Sequence, residues 1–207
     1  MVFYDLIAPA YDLAFRRIYA PFRKRALDHL QIRPGSSVLD VACGTGQNFP
    51  LLNAKVGLKG KIIGVDVSRG MLRKAKGFIH RSGYADISLL HLDAAGLSHT
   101  LLKQQTGFSE VDAVVCTYAF TTMKNWEIAF HRSYNMLKPG GVYLIHDIHA
   151  EKRTFHSAFV EKVTRTNLAR KSWLPLERLS SNFHFEYLDP FSHIFGGRLF
   201  VAFGTKH

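Results

Sequence analysis

The sequence predicts an α/β fold: a doubly wound, mainly parallel seven-stranded sheet with an antiparallel C-terminal edge. Three observations carry this expectation. From Val38 onward, short β-rich apolar runs alternate with helix-like stretches, the pattern that builds parallel strands with crossover helices. Several of these runs end in an acidic or turn-forming residue, at Asp40, Asp66, Asp93 and Thr117. The last two runs have no helix-like stretch between them, which suits an antiparallel pair.

The first strand is Ser37 to Val41, followed by a glycine turn and a helix beginning within Gln47 to Lys55. The second, Lys61 to Asp66, leads to Ser68, a suitable N-cap for a helix carrying Met71, Leu72, Ala75 and Phe78. Ile87 to Leu92 gives the third strand and Val111 to Cys116 the fourth. Trp126 to Leu137 has helical apolar spacing, Lys138-Pro139-Gly140-Gly141 stops that helix, and Val142 to His146 forms the fifth strand. The stretch from Asp147 to Arg178 is polar and basic, and suits a helix with Phe155, Phe159 and Val163 on one face. Phe183 to Tyr187 and Gly197 to Phe203, joined by residues 188–196, complete the sheet.

A length of 207 residues with 47% hydrophobic content suits one core and one domain, 1–207. The net charge of +11 draws the surface toward anionic partners, nucleic acid or acidic lipid headgroups, without choosing between them. Cys43 and Cys116 are the two cysteines, each in an apolar run, so neither a disulfide framework nor a metal site is expected. The N-terminus has an acid where a signal peptide needs a basic start, and no apolar run approaches the roughly 18 residues that span a bilayer. Secretion and membrane spanning are not expected; a cytoplasmic location with reduced thiols is.

In an open α/β sheet, ligands collect outside the carboxyl ends of the strands, where Asp40, Gly44, Gly46, Asp66, Asp93 and Thr117 fall. Gly44 and Gly46 allow a tight turn and a close approach to a ligand, as they would in a purely structural turn, while Thr45 and Gln47 add polar groups. Asp66, twenty residues past Gly46, is placed to accept hydrogen bonds from both hydroxyls of an adenosine ribose. A nicotinamide dinucleotide asks for the same acid. Against that ligand, Phe49 occupies the third glycine position of G-x-G-x-x-G, and Asp40 precedes the loop. A carboxylate there matches the cationic amino acid end of S-adenosylmethionine, directly or through water.

The chain from Val38 to His146 resembles the class I S-adenosylmethionine-dependent methyltransferases, whose core is Rossmann-like, in each of their sequential motifs. Leu39-Asp40-Val41-Ala42-Cys43-Gly44-Thr45-Gly46 is similar to the first motif, with Ala42 where that family usually has its first glycine. Leu137 to Gly141 is similar to the family's turn before the fifth strand. The resemblance implies S-adenosyl-L-methionine as cofactor and S-adenosyl-L-homocysteine as product, with Ala42, Gly44, Thr45 and Gly46 forming the turn around it. It implies that Asp66 and Val67 hold ribose and adenine, that Met71 packs on the adenine, that Asp93 and Ala94 address the adenine amine and ring, and that Thr117 lines the methionine side.

Residues 4–12 carry two Tyr-Asp pairs seven residues apart and resemble the leader of the ubiquinone and menaquinone C-methyltransferases and of bacterial phospholipid N-methyltransferases. That resemblance implies a helical lid over 1–33, a cofactor-binding core over 34–149, a substrate-side helix with the C-terminal hairpin over 150–207, and Tyr11 and Arg23 near the methionine carboxylate. Residues 13–25 mix Leu13, Phe15, Ile18, Tyr19 and Phe22 with five cations, which suits either a lid on the core or an interfacial segment at an anionic membrane; Pro21 counts against one straight helix. Methyl transfer needs alignment more than covalent help. If the acceptor must lose a proton, His146 and His149 are the candidates, with Tyr118 as a positioning group. Cys116 to Phe120 lacks the Asn/Asp-Pro-Pro-Tyr element of amino-methylating DNA enzymes, so a nucleic acid partner is not expected. The expected acceptor is small or lipophilic, a phospholipid amine ahead of a quinone-type ring carbon; a cofactor-binding scaffold without turnover is the reading of another class.

Overall fold

The structure, a computed structural model, describes residues 18–84, 86–152, 154–188 and 196–207. The expectations for Tyr11, the first part of the lid and the loop between the last two strands lie outside the described residues. Within them the expected fold class is observed: a seven-stranded sheet in the order β3-β2-β1-β4-β5-β7-β6, with helices on both faces. Residues 18–28 form α1. β1 (Ser37–Val41), β2 (Lys61–Asp66), β3 (Ile87–His91), β4 (Val111–Thr117) and β5 (Leu137–His149) are parallel. β7 (Arg198–Lys206) runs antiparallel between β5 and the edge strand β6 (Ser180–Tyr187). The last two strands therefore form the expected antiparallel pair, with the final strand inserted inside the sheet and the earlier one at its edge.

The connecting helices are α2 (Phe49–Val56), α3 (Arg69–Ser82), a short 3-10 turn (Ala94–Gly96), α4 (His99–Thr106), α5 (Trp126–Asn135), α6 (Phe155–Thr164) and α7 (Leu174–Leu179). Alternate strand residues feed opposite faces. Val38 packs with Ala26, Leu27, Leu52 and Leu72 on one side, while Leu39 and Val41 pack with Leu102, Phe130 and Tyr143 on the other. Ser68 caps α3 as expected, its hydroxyl accepting from the Met71 amide at 3.1 Å. Such a cap contributes about 1 kcal/mol.

Three local expectations change. Lys138-Pro139-Gly140-Gly141 stops α5 as expected, yet it already belongs to β5: Val111 pairs with Leu137 and Ala113 with Val142, so the extra residues form a bulge with Gly140 at φ 75. The stretch 147–178 is not one helix. It completes β5, forms α6 behind a Thr154–Ser157 capping box, turns at Arg165 (φ 56), and starts again at α7. Finally, residues 18–33 are more than a lid: Ala26, Leu27 and Leu30 are core residues at 0–1% exposure, and Pro21 sits within α1.

Candidate functional site

β1 has β2 on one side and β4 on the other, so the chain reverses its direction of growth across the sheet between these strands. The helices that follow β1 and β4 diverge there and leave a crevice at the strand ends. A cavity of ≈ 390 Å³ occupies this position, within the range of about 300–1,000 Å³ found for small-molecule sites. Of the residues singled out in the sequence, it is lined by Arg23, Ala42, Gly44, Thr45, Asp66, Val67, Met71, Asp93, Ala94, Thr117 and Tyr118.

The turn after β1 is built on left-handed backbone: Ala42 has φ 54, Gly44 φ 56 and Gly46 φ 84. For Ala42 this conformation costs about 1–2 kcal/mol, which explains physically why a glycine is common at this position in the resembling family. Gly46 does not line the cavity. A Cβ there would lie 2.5 Å from the Phe49 ring, so this glycine serves packing beneath the turn rather than contact with a ligand.

Asp66 closes the turn from the neighbouring strand. One carboxylate oxygen accepts from the Gly44 amide at 2.9 Å and the other from the Ser68 amide at 2.8 Å, and the residue is 9% exposed. A carboxylate oxygen can accept more than one hydrogen bond, so a carboxylate at this wall suits a pair of vicinal hydroxyls. Asp93 accepts from the Ala95 amide at 2.9 Å and so holds the 3-10 turn that brings Ala94 to the wall. Met71, Leu92 and Ala94 supply apolar surface suited to a flat ring.

The opposite end is polar and densely connected. Arg23 donates to the Asn48 amide oxygen and the Thr117 hydroxyl, each at 2.6 Å, and to Gln47 at 3.3 Å. Asn48 in turn donates to Asp40 at 2.8 Å. Asp40 is fully buried and does not line the cavity. The expectation set Asp40 against the amino acid end of the ligand, directly or through water; the structure sets it beneath the wall, bonded to Asn48. Burial pushes its carboxyl up to about 7, against the opposing Asn48 hydrogen bond and Arg23 charge. Among the described residues the second Asp40 oxygen and the Arg23 Nε are buried without hydrogen-bond partners.

Neither histidine expected as a base reaches the cavity. His146 is fully buried; its Nδ1 donates to the Phe200 carbonyl at 2.7 Å, leaving Nε2 to accept from the Tyr118 hydroxyl at 2.6 Å. Burial lowers its pKa to about 3. His149 is 3% exposed, bonded to the Leu168 carbonyl at 3.1 Å and edge-on to Trp173; its role is in packing. Tyr118 alone of the three faces the cavity. Its backbone is left-handed at φ 55, its amide donates to the His146 carbonyl at 2.7 Å, and its ring meets Tyr19 at 4.7 Å and the Arg23 guanidinium at 5.0 Å.

The cavity wall contributed by Ala119, Thr122, Met123, Lys124 and Asn125 went unseen in the sequence. It is fixed from behind by contacts distant in the chain. Asp147 accepts from the Thr121 amide and hydroxyl at 3.1 and 2.8 Å, and Arg170 donates to the carbonyls of Phe120 and Met123. No local signal marks such partners.

Comparison with known proteins agrees with this geometry. Over 145 residues the chain is 32% identical to a demethylmenaquinone methyltransferase of Symbiobacterium thermophilum, covering 68% of this chain and 55% of that protein. The chain spans about half the length of the curated relatives it matches. Among solved structures it is similar to a phosphoethanolamine N-methyltransferase of Haemonchus contortus in complex with phosphomonomethylethanolamine and S-adenosylhomocysteine (17% identity, TM-score 0.73, 98% of this chain and 57% of that one). It is also similar to a geranyl diphosphate C-methyltransferase of Streptomyces coelicolor (15% identity, TM-score 0.74, 92% and 77%). The methyltransferase domain family matches residues 32–185, a span that holds every residue lining the cavity except Arg23, and the chain belongs to that family.

Proposed function

We propose that the protein transfers a methyl group from S-adenosylmethionine to a small or lipophilic acceptor, a phospholipid-type amine above all. The observation that carries the reading is the polarity of the cavity: a ribose-suited carboxylate at the end of β2, apolar walls beside it, and Arg23 and Thr117 at the β1–β4 end, held from beneath by Asn48 and Asp40. Asp66 receives the ribose hydroxyls; Val67, Met71, Asp93 and Ala94 enclose the adenine; Arg23 and Thr117 orient the amino acid portion, with Asp40 holding Asn48 in place behind them. When bound, the sulfonium supplies an activated methyl and a good leaving group.

The chain's own contribution is placement. Because the Tyr118 proton points to His146, its oxygen offers lone pairs to an acceptor N–H or O–H in the cavity. A neutral amine that donates there keeps its nitrogen lone pair for in-line attack, and the positive charge passes from the sulfonium to the methylated nitrogen, which leaves as an ammonium. Protonating His146 at neutral pH would cost on the order of 5 kcal/mol, given a pKa of about 3. His146 therefore orients Tyr118 and is not the proton sink. A second reading, methylation of a quinone-type ring carbon, is favoured by the name of the curated relatives; there a ring hydroxyl would donate to Tyr118. Incubating the protein with labelled methyl donor and separate pools of phosphatidylethanolamine, demethylated quinol and small amines tests both. Label in the phospholipid amine is the expected result, label in the quinol selects the second reading, and binding of the donor without transfer to any pool would assign a scaffold.

A further inference from the structure

α6 leaves its apolar side uncovered. Phe155 is 99% exposed, Phe159 66% and Val163 53%. The three residues follow one another at intervals of four and cover an arc of about 80° at about 100° per residue. The other exposed large hydrophobic residues among those described, including Leu58, Phe108 and Ile128, are scattered over separate elements. The helix is nonetheless firmly seated by its other side. Ser157 is buried in the capping box, Val160 lies against Gly196, and the Glu161 carboxylate accepts from the Leu168 amide at 2.9 Å. The stripe is thus a deliberate outer face of a docked helix.

The charges around the stripe identify its occupant. Of the nearby acids, Glu161 is engaged by the Leu168 amide, and the exposed Glu151 accepts from the Tyr187 hydroxyl at 3.3 Å. Lys152 and Lys162 are exposed and make no ion pair among the described residues, and Lys162 projects about 20° beyond Phe155 on the wheel. Bulky apolar side chains bordered by cations match the boundary of an anionic bilayer, where rings enter between headgroups and ammonium groups meet phosphates. The net charge of +11 favours the same partner. α6 is the next helix after β5, the strand that carries His146 beneath Tyr118.

We infer that the Phe155–Phe159–Val163 face of α6 docks the protein on an anionic lipid surface. This goes beyond the proposed reaction and does not depend on it, because docking is read without donor or acceptor. The test is cosedimentation of the whole chain with phosphatidylcholine vesicles, with and without phosphatidylglycerol. The wild type is expected to pellet with the anionic vesicles and to dissociate at high salt. A Phe155→Ser/Phe159→Ser variant is expected to lose roughly tenfold or more in binding, and Lys162→Glu to lose part of it. Both variants change exposed side chains, and unaltered circular dichroism and thermal unfolding verify their fold. The inference is overturned if no vesicle pellets the protein, or if the double variant binds as well as wild type, which would move the contact to another segment such as residues 13–25. It is also overturned if the wild type self-associates in sedimentation velocity and the double variant does not, which would assign the face to a second copy.

Discussion

Replacing Asp40 with Asn should make the protein more stable, and by an amount that depends on pH. The carboxyl is fully buried with one oxygen unpartnered, and its pKa is raised from 3.8 to about 7. In the unfolded chain the same group ionises near its ordinary value. Between these two values the unfolded state sheds the proton first, so the group's contribution is intact below about pH 4 and is lost as pH rises through about 7. The displacement corresponds to on the order of 4 kcal/mol. His146 acts in the opposite sense: its folded pKa of about 3 lies below 6.5, so its contribution is present above that value and lost as pH falls toward 3. Asp147, raised to about 6 by burial, behaves like Asp40. The wild-type profile is therefore partly self-cancelling, and the difference between Asp40→Asn and wild type isolates one group. Asn retains an acceptor for the Asn48 amide. Urea unfolding from pH 4 to pH 8 should show a stability difference that grows across the range and levels off above about pH 7. A difference independent of pH would refute the buried, proton-holding carboxyl.

Ala42→Gly should relieve the left-handed strain at φ 54 and, after the entropy glycine adds to the unfolded chain, raise stability by about 0.5–1 kcal/mol, seen as a higher midpoint in thermal unfolding. A lower midpoint would show that the methyl group packs more than it strains. Tyr118→Phe removes the hydroxyl bonded to His146 from a residue that lines the cavity while keeping the ring against Tyr19 and His146. It should reduce kcat roughly tenfold or more with donor affinity unchanged, and equal loss in donor binding would place Tyr118 on the cofactor instead.

Most of the cofactor side was legible because its chemistry lies at strand ends, where a β-run, a glycine turn and a terminal acid follow one another in the chain. Asp66, Asp93 and Thr117 are found by such short-range patterns and do line the cavity or hold its wall. Asp40 and Gly46 show the limit of the same reasoning. Both belong to the motif, yet their side of the turn faces the core, and only the packing of Asn48 and Phe49 reveals this. The histidines failed for a related reason. Alternation along β5 places His146 under Tyr118 and against Phe200 on β7, a strand fifty residues later whose insertion into the sheet no local pattern announces. α6 was expected as a helix with one apolar face, and periodicity alone could not say that the polar and small side would turn inward.

The crevice at the carboxyl ends of β1, β2 and β4 is proposed to hold S-adenosylmethionine through Asp66. Titration calorimetry of the wild type and of Asp66→Ala with this donor, with unfolding curves to verify that the variant remains folded, tests it most directly. The wild type should bind one equivalent, and the variant should lose about 1.5–3 kcal/mol, roughly ten- to hundredfold in affinity, for the charge-assisted hydrogen bonds removed. No heat from the wild type, or the same affinity in both proteins, would contradict the account.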